Sequence, residues 1–401
     1  MSTRSSIKLP RKFSDQDERP MARALELAQL GVALAHPNPM VGAVLVKNGV
    51  IIGEGFHKYD DRDHAEVVAL RQAGQKAWGA TLYVNLEPCC TTGRTGPCTA
   101  ALISAKVKQV FGAMEDPNPA VSGRGYAALE RAGIGVSVGL CEAEAKKVNE
   151  DFAKWIMTGL PFVTMKVAST LDGQIAVRAT ERAPLTGEPA RAASMRIRHR
   201  ADALLTGVGT ILADNPRLTD RSGEPRRRKL LRVVLDSKLR LPLKSQLVLS
   251  GKGDILVYTT EPTDSPQARA LSMVGVEVVQ LPASGERVDL EAAIRDLGQR
   301  QIVNLMIEAG AEVNGAALAE GLVDKVAIFY APRFIGADGV PLARTTAKRL
   351  THLPGLSNVT VESYPPDILV EGYFRDIYAS RRKIRETDRR RRRPPDIPPI
   401  S

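Results

Sequence analysis

The sequence predicts a protein of two α/β domains, the first of them built around a metal-binding motif. Its 401 residues are enough for about two domains of ordinary size, each with a core of its own. Apolar runs of strand length alternate with helix-period segments through both halves, the pattern of α/β folds. His64, Glu66, Cys89 and Cys98 fall at the starts and ends of those segments, where a rigid frame places functional side chains.

Taken in order, residues 40–46 and 50–56 are apolar, β-rich runs joined by Lys47-Asn48-Gly49, and Asn-Gly is the strongest short hairpin signal. Asp63-His64-Ala65-Glu66 opens a segment with apolar residues at 65, 68, 69 and 73, the spacing of one helix face, so His64 is expected in a first helical turn. Residues 81–87 read as a strand delivering Pro88-Cys89. Gly96-Pro97-Cys98 precedes a helical run over 99–107, whose positive N-terminus favours Cys98 as thiolate. Residues 146–161 form a junction, a helix ending at Thr158-Gly159 and then Leu160-Pro161. Strand-length runs follow at 162–168, 203–206, 231–235, 254–258, 302–307 and 325–331, with helical patterns at 189–199 and 313–322 between them. The expected division is a tail over 1–15, domains over 16–160 and 161–378, and a second tail over 379–401. Gly207-Val208-Gly209 is not a complete Gly-x-Gly-x-x-Gly, so a Rossmann assignment has no support.

One histidine nitrogen and two cysteine sulfurs form the ligand set of a catalytic zinc, because three protein ligands leave the fourth tetrahedral position open for water. Glu66, two residues after His64 and outside that set, is the proton carrier such a site needs. His-x-Glu with Pro-Cys is the signature of zinc nucleobase deaminases, although Cys89 and Cys98 stand farther apart than the two intervening residues usual in those acting on nucleic acids. Taken singly, Asp63 with Glu66 reads as a capping box and His64 as a core histidine. Joined to two cysteines at matching strand and helix starts, the metal site is the better reading. Cys90 is expected as a packed neighbour and Cys141 as a structural residue.

With 25% charged and 43% apolar residues, the composition is that of an ordinary globular protein. Four cysteines, two of them assigned to metal, leave no disulfide framework and suit a reducing cytoplasm. The basic start over 1–13 runs into Asp15, Asp17 and Glu18 without an apolar core, unlike a secretory signal. No apolar stretch approaches the about 20 residues of a membrane span. Net charge is +11, but residues 381–401 hold nine Arg/Lys against three acids, so more than half the excess sits in one Arg- and Pro-rich tail. That composition is expected to be disordered and solvated. An RNA-directed zinc deaminase with a basic tail is the alternative it leaves open. Aromatic residues make up only 4%, few platforms for stacking bases, so neither nucleic acid nor membrane is an expected partner.

From about residue 20 to 378 the chain resembles a known family. His36-Pro37-Asn38-Pro39-Met40-Val41-Gly42, His64-Ala65-Glu66-Val67, Leu86-Glu87-Pro88-Cys89, Gly93-Arg94-Thr95 with Cys98, and Asp116-Pro117-Asn118-Pro119 are similar to the bifunctional riboflavin-biosynthesis deaminase–reductases. Lys166, Leu171-Asp172-Gly173, Thr186-Gly187, Leu212-Ala213-Asp214-Asn215-Pro216, Leu235-Asp236-Ser237 and Glu308 with Gly310 carry the likeness through the second half.

The resemblance implies a cytidine-deaminase-like zinc domain followed by a dihydrofolate-reductase-like α/β domain. It implies two consecutive reactions: hydrolytic deamination of 2,5-diamino-6-(5-phosphoribosylamino)pyrimidin-4-one, then NADPH reduction of the ribosyl group to ribityl. By position, His64, Cys89 and Cys98 would hold Zn2+ with Glu66 as acid/base, and Asn38, His57, Arg94, Asp116 and Asn118 would contact the first substrate. Lys166 and Glu308 would be catalytic in the second site, with Arg198, Leu218 and Arg221 gripping sugar and phosphate. NADPH would rest on Ser169, Pro184, Thr210, Asp214, Ser237 and the turn Gly310, Ala311, Glu312, Val313, Asn314, Gly315 and Ala316, where free N–H groups at a helix start suit a pyrophosphate. The chain departs from the family pattern at Cys90-Thr91-Thr92, where Ser-His-His is usual, and at Arg182 and Pro184, where Ser and Trp are usual. Arg182 is expected either to bind substrate by reaching a substrate or cofactor phosphate, or to stand as a solvated loop residue. A small-molecule substrate, a homo-oligomer and a cytoplasmic location are expected; one working domain of the two is the alternative among enzymes.

Overall fold

The computed structural model describes residues 13–93, 95–177, 184–344 and 355–379. Arg94, Arg182, the N-terminal residues 1–12 and the basic tail from 380 onward lie outside the described residues. The chain divides into two units, the first ending at Glu150 and the second beginning at Asp151.

The first unit is a five-stranded sheet in the order Val50–Phe56, Gly42–Lys47, Thr81–Val84, Gln109–Gly112 and Gly135–Val138. Its first three strands pair antiparallel and its last three parallel. The expected hairpin is present: Asn48 (φ 53°) and Gly49 (φ 76°) are both left-handed, and Lys47 pairs with Val50 across a two-residue turn. Gly53 and Gly55 let the helix Ala65–Ala73 lie directly on this hairpin, since a Cβ at either would come within 2.2 and 2.3 Å of the Ala69 and Ala65 carbonyl oxygens. Ala43, Leu45, Leu82, Val84, Ala69, Leu102 and Leu129 fill the core beneath. The helix that carries Glu66 is therefore clamped to the sheet by close backbone approach.

The second unit is a nine-stranded sheet in the order Glu277–Gln280, Ile255–Thr259, Leu231–Leu235, Ala203–Gly207, Asn304–Ile307, Phe162–Thr170, Lys325–Ala331, Asp367–Tyr373 and Ser357–Tyr364. Neighbours are parallel through the first seven strands, and the last two form an antiparallel hairpin at the edge. Both faces are covered, as near-continuous apolar strands require. Val163, Met165, Val167, Leu305 and Ile307 pack into one core, while Leu204, Val234 and Met306 pack into another. The helix Glu150–Thr158 packs within this unit: Lys154 pairs with the fully buried Asp324, and the Trp155 indole N–H donates to the Gly298 carbonyl oxygen at 3.0 Å. The division thus falls about ten residues before the expected boundary at 160/161. Among the described residues, no helix is long and apolar enough to cross a membrane.

Candidate active sites

In the first unit His64 is the residue before the helix Ala65–Ala73, with extended backbone (φ −78°, ψ 158°) rather than a place in the first turn. Cys89 follows the strand Thr81–Val84, and Cys98 is itself the first residue of the helix Cys98–Ser104. The His64 Nδ1 and both sulfurs lie within 4.8 Å of one another, with Nδ1 3.1 Å from Cys98 Sγ and 3.4 Å from Cys89 Sγ. Tetrahedral zinc with ordinary N and S bond lengths holds such atoms about 3.5 Å apart, so the donor set fits that ion in both chemistry and spacing. The cluster is also held by backbone: Cys98 N–H donates to Cys89 Sγ at 3.3 Å and Thr99 N–H to the Cys89 carbonyl oxygen at 3.1 Å.

Between the two sulfurs alone Cys89 is the more acidic, and a bound zinc would take both as thiolates. A hydrogen bond from Cys98 and the charge and hydrogen bond of His64 outweigh burial and hold Cys89 down at about 4. Cys98 is pushed up by the anion on Cys89 and by its own burial. The partial charge of a helix start is smaller than a whole neighbouring charge at contact distance. His64 rises to about 9, chiefly through its bond to Cys89. Glu66 sits in the first helical turn, 3% exposed, and burial raises its proton affinity.

Around this cluster, His57 is 3% exposed and its ring meets that of His64 edge-on at 5.2 Å. Its Nδ1 faces the Asp63 carbonyl oxygen at 2.9 Å and its Nε2 faces Asn38 Nδ2 at 3.0 Å. A carbonyl only accepts, so Nδ1 carries the proton and Nε2 accepts from Asn38, which is thereby held with a fixed amide orientation. Asp116 is 7% exposed and accepts from Asn118 N–H at 2.8 Å, so the two stand together on one loop.

In the second unit, Lys166 on the strand Phe162–Thr170 and Arg198 on the helix Glu188–Arg200 converge on Glu308, just past the strand Asn304–Ile307. Lys166 Nζ donates to Oε1 at 2.9 Å and Arg198 Nη2 to Oε2 at 2.5 Å. Burial works against the Glu308 charge, but the two cations prevail and hold its carboxyl down at about 2. Arg198 Nη1 donates to the Thr219 carbonyl oxygen at 2.9 Å, which ties this array to the segment carrying Leu218, left-handed at φ 55°, and the exposed Arg221. Pro184 is exposed on the rim of a cavity of about 280 Å³ that Gly187, Arg191, Arg333 and Asp367 also line.

The helix Ala311–Ala319 begins right after Gly310, two residues earlier than the periodic pattern suggested. A side chain at Gly310 or Gly209 would meet nothing within 4 Å, whereas one at Gly207 would reach Val313 at 3.0 Å. Two chain turns thus approach closely and leave open space above a helix start, with its unpaired N–H groups. Within the turn, Ala311 is buried, Glu312 is exposed and pairs with Arg287, and Val313 and Ala316 lean on the core. Asn314 Nδ2 donates to the Leu342 carbonyl oxygen at 2.9 Å, and a Cβ at Gly315 would lie 1.9 Å from the Arg344 carbonyl oxygen. The Ser169 hydroxyl is fully buried and donates to Thr170 O, and Ser237 Oγ accepts from Val288 N–H at 2.9 Å. Thr210 is half-buried and Asp214 exposed.

Two family models divide the chain along the same lines. The cytidine and deoxycytidylate deaminase zinc-binding region matches residues 14–114, and the RibD C-terminal domain matches residues 161–370. The chain belongs to the RibD family of riboflavin biosynthesis. The RibD of Escherichia coli K12 is 40% identical over 356 residues, 86% of this chain and 93% of that one. A solved structure of Acinetobacter baumannii RibD superposes with a TM-score of 0.80 at 37% identity, covering 89% of this chain and 98% of that one. A Thermotoga maritima diaminohydroxyphosphoribosylaminopyrimidine deaminase/5-amino-6-(5-phosphoribosylamino)uracil reductase gives 0.78 at 36% identity, with the same coverage. As in that family, the first unit is a cytidine-deaminase-like zinc domain and the second an α/β reductase domain that uses NADPH.

Sequence reasoning missed two features of this RibD-type frame. Thr206 and Asp236, at the carboxyl ends of neighbouring strands, are fully buried, each with an oxygen lacking a hydrogen-bond partner among the described residues. Strand parity puts Thr206 on the same face as Glu308, a signal readable from sequence once the register is known. Glu87 was read only as part of a motif, yet its carboxylate accepts four backbone N–H groups.

Proposed function

We propose that the first unit deaminates 2,5-diamino-6-(5-phosphoribosylamino)pyrimidin-4-one and that the second reduces the ribosyl group of the product to ribityl. The observation that carries the reading is the convergence of His64, Cys89 and Cys98 beside a buried, non-ligating Glu66. Zinc held by these three supplies the Lewis acidity that makes water a nucleophile at neutral pH. Glu66 takes the proton from the attacking water and passes it to the departing ammonia. Asn38, oriented by His57, together with Asp116 and Asn118, binds the pyrimidine and its ribosyl group.

In the second unit the start of the helix Ala311–Ala319 would hold the pyrophosphate of NADPH, which would supply the hydride. Lys166 provides the proton that must accompany hydride delivery as the sugar ring opens. Glu308, ionised between Lys166 and Arg198, orients both cations, and Arg198 with Arg221 directs the phosphate. The action is cytoplasmic, where NADPH and a reducing environment for two metal-binding thiols coincide.

Metal content and turnover of two variants test the first half. Glu66→Gln is expected to retain about one zinc per chain and lose deamination, whereas Cys98→Ala loses both. NADPH-dependent reduction of the deaminated intermediate should survive in each. A zinc-free Glu66→Gln or an active Cys98→Ala would refute the assignment.

A further inference from the structure

We propose that Glu87 is a positioning residue that sets the deaminase site's affinity for its substrate, by fixing the loop that bears Asp116 and Asn118 against the strand end that bears Cys89. The proposal rests on the reading that this loop contacts the pyrimidine substrate.

Glu87 is 3% exposed and two residues before Cys89. Its Oε2 accepts from the N–H groups of Asp116 at 3.0 Å and Gly123 at 2.8 Å, and its Oε1 from those of Gly125 at 2.8 Å and Tyr126 at 3.3 Å. A carboxylate has about four lone-pair sites, and these bonds fill them. Hydrogen bonds to an ionised acceptor are about twice as strong as neutral ones. An amide at this position would turn an NH2 group toward two N–H donors. The chemistry of the site therefore calls for a carboxylate.

The same loop presses on the strand end from a second direction. A Cβ at Gly125 would fall 2.1 Å from the Pro88 carbonyl oxygen, so its backbone rests directly on the residue before Cys89. The Tyr126 hydroxyl donates to the Met114 carbonyl oxygen at 2.9 Å and closes the loop at its base. Inside it, Asp116 Oδ1 accepts from Asn118 N–H at 2.8 Å and Asn118 Oδ1 from Ala120 N–H at 3.0 Å. Glu87 thus grips the loop at Asp116 and again at 123–126, on either side of Asn118. The metal ligands do not need it, because Thr99 and Cys98 anchor Cys89 independently. Zinc retention and substrate affinity should therefore come apart.

The test is a kinetic cycle in the full-length, zinc-loaded protein with Glu87→Gln, Asp116→Ala and the double variant. Glu87→Gln is expected to keep its zinc and its reductase activity, with kcat for deamination little changed and KM for the diaminopyrimidine substrate raised about tenfold, equivalent to about 1.4 kcal/mol. Glu87→Asp, which keeps the charge on a shorter stem, should fall between. The double variant should raise KM by less than the product of the single effects, as expected when one residue acts through the other. If Asp116→Ala raises KM and Glu87→Gln does not, or if the two effects multiply, the proposal fails while the reading of the loop stands. If Asp116→Ala leaves KM unchanged, that reading fails and the proposal with it. A Glu87→Gln protein that sheds zinc and loses kcat together with affinity makes Glu87 an anchor of the whole unit, which also overturns the proposal.

Discussion

Replacing Lys166 by methionine removes one of the two cations on Glu308 and keeps the apolar length of the stem. Glu308 lies at about 2 against an ordinary value of 4.5, with burial opposing its charge and Lys166 ahead of Arg198 in offsetting that cost. The gap of about 2.5 pH units corresponds to about 3 kcal/mol of net attraction at about 1.36 kcal/mol per unit. Loss of the larger attraction should cost about half of this or more, which agrees with the about 1.5–3 kcal/mol of a hydrogen bond to a charged group. Because the folded-state value lies below the unfolded one, the contribution is complete above about pH 4.5 and is lost as pH falls through about 2. The stability difference between wild type and Lys166→Met should be largest at pH 7 and should shrink steadily through that acid window. Urea unfolding in a Trp78→Phe background makes Trp155, which lies in the second unit, the sole tryptophan reporter of that unit. A difference at pH 7 below about 0.5 kcal/mol, the ordinary scatter of surface substitutions, would refute the reasoning, as would one that does not change with pH.

Three further outcomes follow from the packing. Gly315→Ala places a Cβ 1.9 Å from the Arg344 carbonyl oxygen; the shift of the helix Ala311–Ala319 should cost about 1–3 kcal/mol and weaken NADPH binding in a fluorescence titration without altering deamination. A fragment over 151–379 should be measurably more stable than one over 161–379, in which the buried Asp324 carboxylate keeps Arg375 at 3.3 Å but loses Lys154; removing one partner of a buried pair costs up to about 3–5 kcal/mol, and equal midpoints would contradict that pairing. Removal of residues 381–401 should leave both activities unchanged in steady-state assays, and any RNA binding lost with it should be salt-dependent.

The metal centre was legible because its donors are rare residue types placed at the ends of well-patterned elements. Asn48-Gly49 fixed the hairpin for an equally local reason, since both residues adopt left-handed backbone readily. The edge hairpin Ser357–Tyr364 with Asp367–Tyr373 escaped notice because its outer strand is exposed along seven of its eight residues, so no burial pattern marks it. The helix start at Cys98 is visible in sequence, whereas the approach of Cys89 across nine residues is not. Lys166 and Ser169 differ in strand parity and so face opposite sides of the sheet, Lys166 toward Glu308 and Ser169 with the face of Met165 and Val167. Glu87 shows the limit most clearly. Its partners are backbone groups 29 to 39 residues away, and nothing in their side chains announces the contact.

Mass analysis of products tests the two-reaction assignment most directly. Purified, zinc-loaded protein is incubated with 2,5-diamino-6-(5-phosphoribosylamino)pyrimidin-4-one, with and without NADPH. Without NADPH, the expected product has exchanged one amino group for a carbonyl oxygen and accumulates. With NADPH, that species gains two hydrogens and is converted to the ribitylamino compound, with one NADPH consumed per molecule. A substrate mass that stays unchanged under both conditions would contradict the assignment, and accumulation of the first product in the presence of NADPH would confine this chain to one working domain.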